Sequence, residues 1–235
     1  MKLHTEEWGT GERVALLVHG IMSDHRTWRR VGPALAERGY RVIAVDQRGH
    51  GRSPRGTGAT PRERYALEAY AEDLVETLPA GADLAVGHSL GGISLLRAVE
   101  RLAPARAVYV DPAWRFGAAA GVDPALFVQF RDATREQITT LNPRWAGADV
   151  DVELATLAAW DPDSALAMPG QESDLPTAAA VPSLVVLADR SFLVGAEDAE
   201  LLRARGFQVR TVPGAGHTVH RDDHDGFMTA LDGWV

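Results

Sequence analysis

The stretch Ala85-Val86-Gly87-His88-Ser89-Leu90-Gly91-Gly92 decides how the rest of the chain is read. An apolar run ends in it, and a helix-forming run beginning at Ile93 leaves it. Ser89 sits at the turn, with glycine two positions to either side. A strand that passes at once into a helix forces its central residue into a strained backbone, and side chains at the flanking positions would clash across the turn. Glycine removes the Cβ that would clash. The hydroxyl is thereby exposed at a helix N-terminus, where the Leu90 N–H and the helix dipole face any developing negative charge. A tight turn in which serine merely caps the helix would use the same residues, so the remainder of the chain has to decide.

Working outward, short continuous apolar runs at 13–18, 41–45, 84–86, 107–110, 183–187 and 207–212 predict buried strands. Between them lie helical patterns. Trp28, Val31 and Leu35 keep helical spacing after a cap near Thr27 and stop at Gly39. Leu67, Tyr70, Leu74 and Leu78 form a second inner face, and Ile93, Leu96 and Val99 a third. Residues 196–205 form a helix stopped by Gly206, and the chain closes on Phe227, Leu231 and Trp234. Apolar strands alternating with helices predict an α/β fold: a mostly parallel twisted sheet with helices on both faces.

Residues 114–181 break the alternation. Helix-like patches, such as Leu126, Phe127 and Phe130 or Val152, Leu154, Leu157 and Trp160, are punctuated by prolines, and no strand is evident. A structureless loop of that length is improbable in a compact domain. The reading is a core made of 1–113 and 182–235, with a helical cap inserted at 114–181 over the carboxyl edge of the sheet. A helix pair on the flank of the core is the alternative.

Composition narrows the function. The 235 residues carry 46% hydrophobic and 24% charged residues, ordinary for a globular protein. A net charge of −8 disfavours nucleic acid or an anionic membrane as partner. There is no cysteine, hence no disulfide, thiolate nucleophile or zinc–cysteine site. No stretch reads as a signal peptide or a membrane span, so a cytoplasmic protein acting on a small molecule is expected, with no cofactor and no metal.

In parallel sheets ligands bind beyond the carboxyl ends of the strands. His19, Asp46, Ser89, Asp111, Asp189 and His217 all fall at such ends. Imidazole suits a proton that comes and goes near neutral pH, which makes a histidine the partner for Ser89. His217, His220 and His224 are close together, and His217 alone follows a glycine. These histidines with Asp222 lack the spacing of a helical metal motif.

Four pieces in this order now carry a resemblance: His19-Gly20, Asp46-x-Arg48-Gly49-x-Gly51-x-Ser53, Gly87-His88-Ser89-Leu90-Gly91-Gly92, and Gly216-His217. Over essentially its whole length the chain resembles the α/β-hydrolase fold superfamily. The resemblance implies Ser89 as nucleophile and His217 as base. It also implies an oxyanion hole from the backbone N–H groups of Ile21 and Leu90, with Met22 the competing donor. His19 and the 46–53 loop are implied to be scaffold. The usual acid position falls on Ser191, which is no acid. Asp189 lies two residues earlier. Asp111 ends the strand after the nucleophile, where haloalkane dehalogenases and zearalenone-type lactonases carry their acid. Asp111 is the expected acid, with Asp189 the alternative.

A serine at the elbow argues against the dehalogenase and epoxide hydrolase chemistries of this fold, which use a carboxylate nucleophile. The expectation is a serine hydrolase of the esterase or lactonase type. Trp114, Phe116, Phe127, Phe130, Trp145 and Trp160 would suit an apolar or aromatic substrate, about half of them serving as cap core. A carbon–carbon bond hydrolase, a proton-transfer enzyme and a non-catalytic ligand receptor are the other readings.

Overall fold

The computed structural model describes residues 1–115, 123, 125–171 and 174–235. Every apolar run forms a strand. In chain order the elements are β1 (Thr5–Trp8), β2 (Arg13–Val18), a 3-10 turn (His25–Trp28), α1 (Val31–Glu37), β3 (Tyr40–Val45), α2 (Pro61–Arg64), α3 (Leu67–Thr77), β4 (Leu84–His88), α4 (Leu90–Leu102) and β5 (Ala107–Val110). There follow α5 (Ala125–Val128), a 3-10 turn (Gln129–Asp132), α6 (Arg135–Leu141), α7 (Gly147–Ala159) and α8 (Asp163–Leu166). The chain ends with β6 (Ser183–Ala188), α9 (Ala196–Ala204), β7 (Gln208–Val212), α10 (Val219–Asp222) and α11 (His224–Ala230).

The strands make one sheet in the order β1-β3-β2-β4-β5-β6-β7. Six run parallel. β1 pairs antiparallel with β3, Thr5 opposite Val45 and Trp8 opposite Val42. This edge strand is absent from the sequence reading, because Thr-Glu-Glu-Trp has no apolar run and none of its residues is fully buried. The helix expected from Thr27 is a 3-10 turn capped by the Asp24 carboxylate, followed by α1 from Val31.

The period-two alternation of each strand divides the core in two. Leu16, Val18, Ile43, Val45, Ala85, Tyr109, Val185 and Leu187 face α3, α4 and α9. Ala15, Leu17, Val42, Ala44, Val86, Val108, Val110 and Val186 face Trp28, α1 and α11. Burial on both faces explains why these strands are continuously apolar.

Between β5 and β6 the regular structure among the described residues is helical. Ile138, Val150 and Leu157 form a small cluster of their own with Phe130, Trp145 and Leu154 packed on it. Several polar contacts tie this segment to the rest of the chain, among them the following. Asp161 N–H donates to Gly49 O at 2.8 Å, and Tyr65 Oη donates to Asp161 Oδ2 at 2.6 Å. Arg29 Nε donates to Asp149 Oδ1 at 2.9 Å, and Arg221 Nη1 to Glu153 Oε2 at 2.6 Å. Trp114, placed in the inserted segment by the sequence reading, instead belongs to the core. It is fully buried, with its ring edge-on to Tyr109 at 5.0 Å and to Phe207 at 5.7 Å.

Candidate active site

β4 delivers Ser89 to the carboxyl edge of the sheet. Its backbone sits at φ 52°, ψ −116°, a region most residues avoid. Hydrogen bonds on both sides hold the strain: Ser89 N–H donates to Val110 O at 3.0 Å, and Ser89 O accepts from Gly92 and Ala113 at 2.9 and 3.1 Å. A Cβ on Gly87 would collide with Gly91 O, and one on Gly91 with the carbonyls of Val18 and His19. Leu90 opens α4, so its N–H has no carbonyl within the helix. Opposite it, the chain after β2 turns at Gly20, with Ser23 N–H donating to Gly20 O at 3.3 Å and Met22 at φ 65°. Among the described residues the N–H groups of Ile21, Met22 and Leu90 have no hydrogen-bond partner.

β5 delivers Asp111. It is fully buried at φ 38°, a conformation Asp tolerates better than most residues. Its backbone N–H continues the ladder to Val186 O at 2.8 Å. One carboxylate oxygen accepts the Ala188 N–H at 3.3 Å. The other lies 2.6 Å from His217 Nδ1. Neighbouring β6 thus orients the carboxylate towards the imidazole. Asp189 is exposed and borders a separate surface cleft with Arg190, Glu200 and Arg203. Ser191 spends its hydroxyl on the backbone, accepting from Leu193 N–H at 3.2 Å and Val194 N–H at 3.0 Å.

The loop after β7 carries His217 and is tied to the elbow by a residue the sequence reading passed over. His88 Nε2 donates to His217 O at 3.0 Å, and the two rings stand 4.8 Å apart. With Nδ1 facing Asp111, Nε2 is the nitrogen His217 has left. Ser89 and His217 border one cavity of about 120 Å³. Its walls are mainly apolar: Ile21, Leu90, Ile93, Phe127, Met168 and Leu193. Of the aromatic residues expected there, Phe127 is the one among the described residues that borders the cavity. Phe130 and Trp145 pack on the small helical cluster, Trp114 and Trp160 are fully buried, and Phe116 lies outside the described residues. Phe192, not foreseen, stands half exposed beside the His217 ring at 5.1 Å.

His220 and His19 hold neighbouring structure in place. His220 Nε2 is bonded to Thr27 Oγ1 at 2.8 Å, and its ring stacks on Trp28 at 4.3 Å. His19 braces the loops, with Nδ1 2.7 Å from Gly20 O and Nε2 accepting from Gln47 N–H at 2.9 Å.

Set beside known proteins, residues 15–230 match the sequence profile of the alpha/beta hydrolase family. The chain belongs to the alpha/beta hydrolase family. It is 41% identical over 97 residues to bifunctional epoxide hydrolase 2 of Sus scrofa, a match covering 40% of this chain and 17% of that protein. It is 38% identical over 119 residues to a putative carbamate hydrolase of Variovorax paradoxus, covering 48% of this chain and 43% of that one. These matches therefore span less than half of each relative. Among solved structures, E-2-(acetamidomethylene)succinate hydrolase superposes with a TM-score of 0.78 at 23% identity, covering 99% of this chain and 94% of that one. That likeness shows the shared fold. Among the described residues, no helix is long and apolar enough to cross a membrane.

The buried histidines of this family member set its response to acid. Burial pushes His50 down to about 3, and it also lowers His19 and holds His88 and His220 well below their ordinary value. As pH falls below about 6.5, the unfolded chain takes up protons that the folded chain refuses, so stability falls with pH. Each such histidine contributes roughly 1.4 kcal/mol per pH unit until its folded value is reached. His25 acts in the opposite sense: burial would lower it, but the hydrogen bond and charge of Asp46 outweigh burial and raise it. The urea midpoint should therefore drop steeply between pH 7 and 5. A flat profile over that window would show that these rings are not held neutral.

Proposed function

We propose that this chain is a serine hydrolase that cleaves a short carboxylic ester or lactone with an apolar body through an acyl-enzyme. The observation that carries the reading is the 2.6 Å pairing of the fully buried Asp111 carboxylate with His217, on the cavity that Ser89 also borders. In the reaction Ser89 Oγ attacks the carbonyl carbon as His217 Nε2 takes its proton. Asp111 keeps the other ring proton on Nδ1 and stabilises the imidazolium. The tetrahedral oxyanion is received by the N–H groups of Ile21 and Leu90, each worth on the order of 3 kcal/mol in the transition state. Met22 N–H is the second free donor of the same turn. His217 then protonates the leaving oxygen, and water repeats the sequence on the acyl-enzyme.

The apolar walls and small volume favour short acyl groups. Helices α5 and α7 supply Phe127 and Glu153 to the cavity, so the inserted segment serves as its cap. A carbamate presents the same carbonyl chemistry, and the similarity to a putative carbamate hydrolase places carbamates in the substrate panel. The purified protein should turn over p-nitrophenyl acetate and butyrate faster than long-chain esters, and a fluorophosphonate probe should label Ser89 in a peptide map. Folded protein that neither reacts with the probe nor turns over any ester, lactone or carbamate would overturn the proposal.

A further inference from the structure

Away from the cavity, a second group of side chains converges where β1 meets the turn after β2. We propose that His4, Glu6 and His25 form a binding site for a transition-metal dication of the zinc type. One ligand atom from each lies within 4.8 Å of the others. An ion at their centre would be no more than roughly 2.8 Å from each, so sub-ångström side-chain movement reaches Zn–N and Zn–O bond lengths of about 2.0–2.2 Å. None of the three borders the Ser89 cavity.

The ligands are set by backbone structure. His4 and Glu6 are two residues apart on an extended chain, which puts both on one face. His4 is held at both ends: its N–H donates to Ser53 Oγ at 2.8 Å, and its carbonyl accepts from Asp46 N–H at 2.9 Å. Glu6 is fixed opposite Ala44 in the sheet. His25 is fixed by its own N–H on Asp46 Oδ1 at 2.8 Å.

The chemistry of the set is that of a metal site. His25 Nδ1 lies 2.7 Å from Asp46 Oδ1, which leaves Nε2 for a cation. A carboxylate behind a ligating imidazole fixes its tautomer and raises its basicity, a recurrent arrangement around zinc. His4 Nε2 is buried and has no hydrogen-bond partner among the described residues, a costly state that a bound ion would relieve. Three carboxylates, Glu6, Asp24 and Asp46, act on His25; Arg26 pairs with Asp24 at 2.6 Å. The remaining negative charge favours a dication. Two imidazoles and one carboxylate select zinc, cobalt, nickel or copper over magnesium and calcium. Bound there, the ion would pin the edge strand to the turn after β2.

The test is calorimetric titration of chelator-treated protein with zinc chloride, alongside thermal melting. The expected result is one equivalent bound in the micromolar range or tighter, a higher melting temperature with zinc, and no heat with magnesium. His4→Ala and Glu6→Gln should each weaken zinc binding at least tenfold while melting normally without metal. Zinc binding no tighter than millimolar would overturn the site. So would wild-type affinity in both variants, which would put the ion elsewhere, such as on the histidines of 217–224. The readout is binding and stability, so failure of the hydrolase reading leaves it untouched.

Discussion

Asp111→Asn should lower kcat by about 10³–10⁴-fold, while Asp189→Asn leaves it within about twofold. The asparagine keeps an oxygen for the Ala188 N–H, so the carboxylate's role in the fold is largely preserved. What changes is the atom facing His217 Nδ1. A carboxylate oxygen accepts, and thereby holds the ring proton on Nδ1. An amide nitrogen donates, and forces the proton onto Nε2. Nε2 is then no longer a base for Ser89, and the imidazolium loses its counter-charge. Asp189 is solvent-exposed, so its replacement touches neither effect. The measurement is kcat for an activated ester, with melting temperature as the control for folding. A large loss in Asp189→Asn with a small one in Asp111→Asn would reverse the assignment.

Ser89→Ala should cost more, on the order of 10⁵–10⁶ in kcat, and abolish fluorophosphonate labelling. Alanine retains the Cβ, so the strain at φ 52° is unchanged and the variant should melt as the parent does. Residual turnover well above the buffer rate is still expected, because the free N–H groups of Ile21 and Leu90 remain to receive an oxyanion. Labelling that persists in Ser89→Ala would mean that another hydroxyl is the nucleophile. The two variants should not be additive: once the nucleophile is gone, Asp111→Asn has little left to remove.

The sheet was legible because its strands are buried on both faces, which makes them continuous apolar runs with few alternatives. Edge strand β1 was not, because Thr5–Trp8 is polar and partly exposed, and its only mark is adjacency to β3 in space. Ser89 and His217 could be singled out locally, since Gly87, Gly91 and Gly216 flank them. The choice between Asp111 and Asp189 could not be made locally. Both follow an apolar strand, and only the register of β5 against β6, which brings the Ala188 N–H to one Asp111 oxygen, turns the other towards the imidazole. The cavity wall was the least legible part. Trp114 has the size of a wall residue, yet it is drawn into the core by Tyr109 and Phe207. Met168 and Leu193 reach the cavity from far along the chain, with no motif to mark them.

The turn built on the Ser191 hydroxyl separates two duties that one loop often carries together. In the usual arrangement the loop after this strand must present an acid with ångström accuracy, which restricts every other residue in it. Here the carboxylate that reaches His217 stands at the end of β5, inside the sheet. The loop's remaining task is to hold Phe192 and Leu193 against the cavity. On the proposed hydrolase reading, substitutions at those two positions should change which acyl groups are accepted while leaving the Asp111–His217 pair in place.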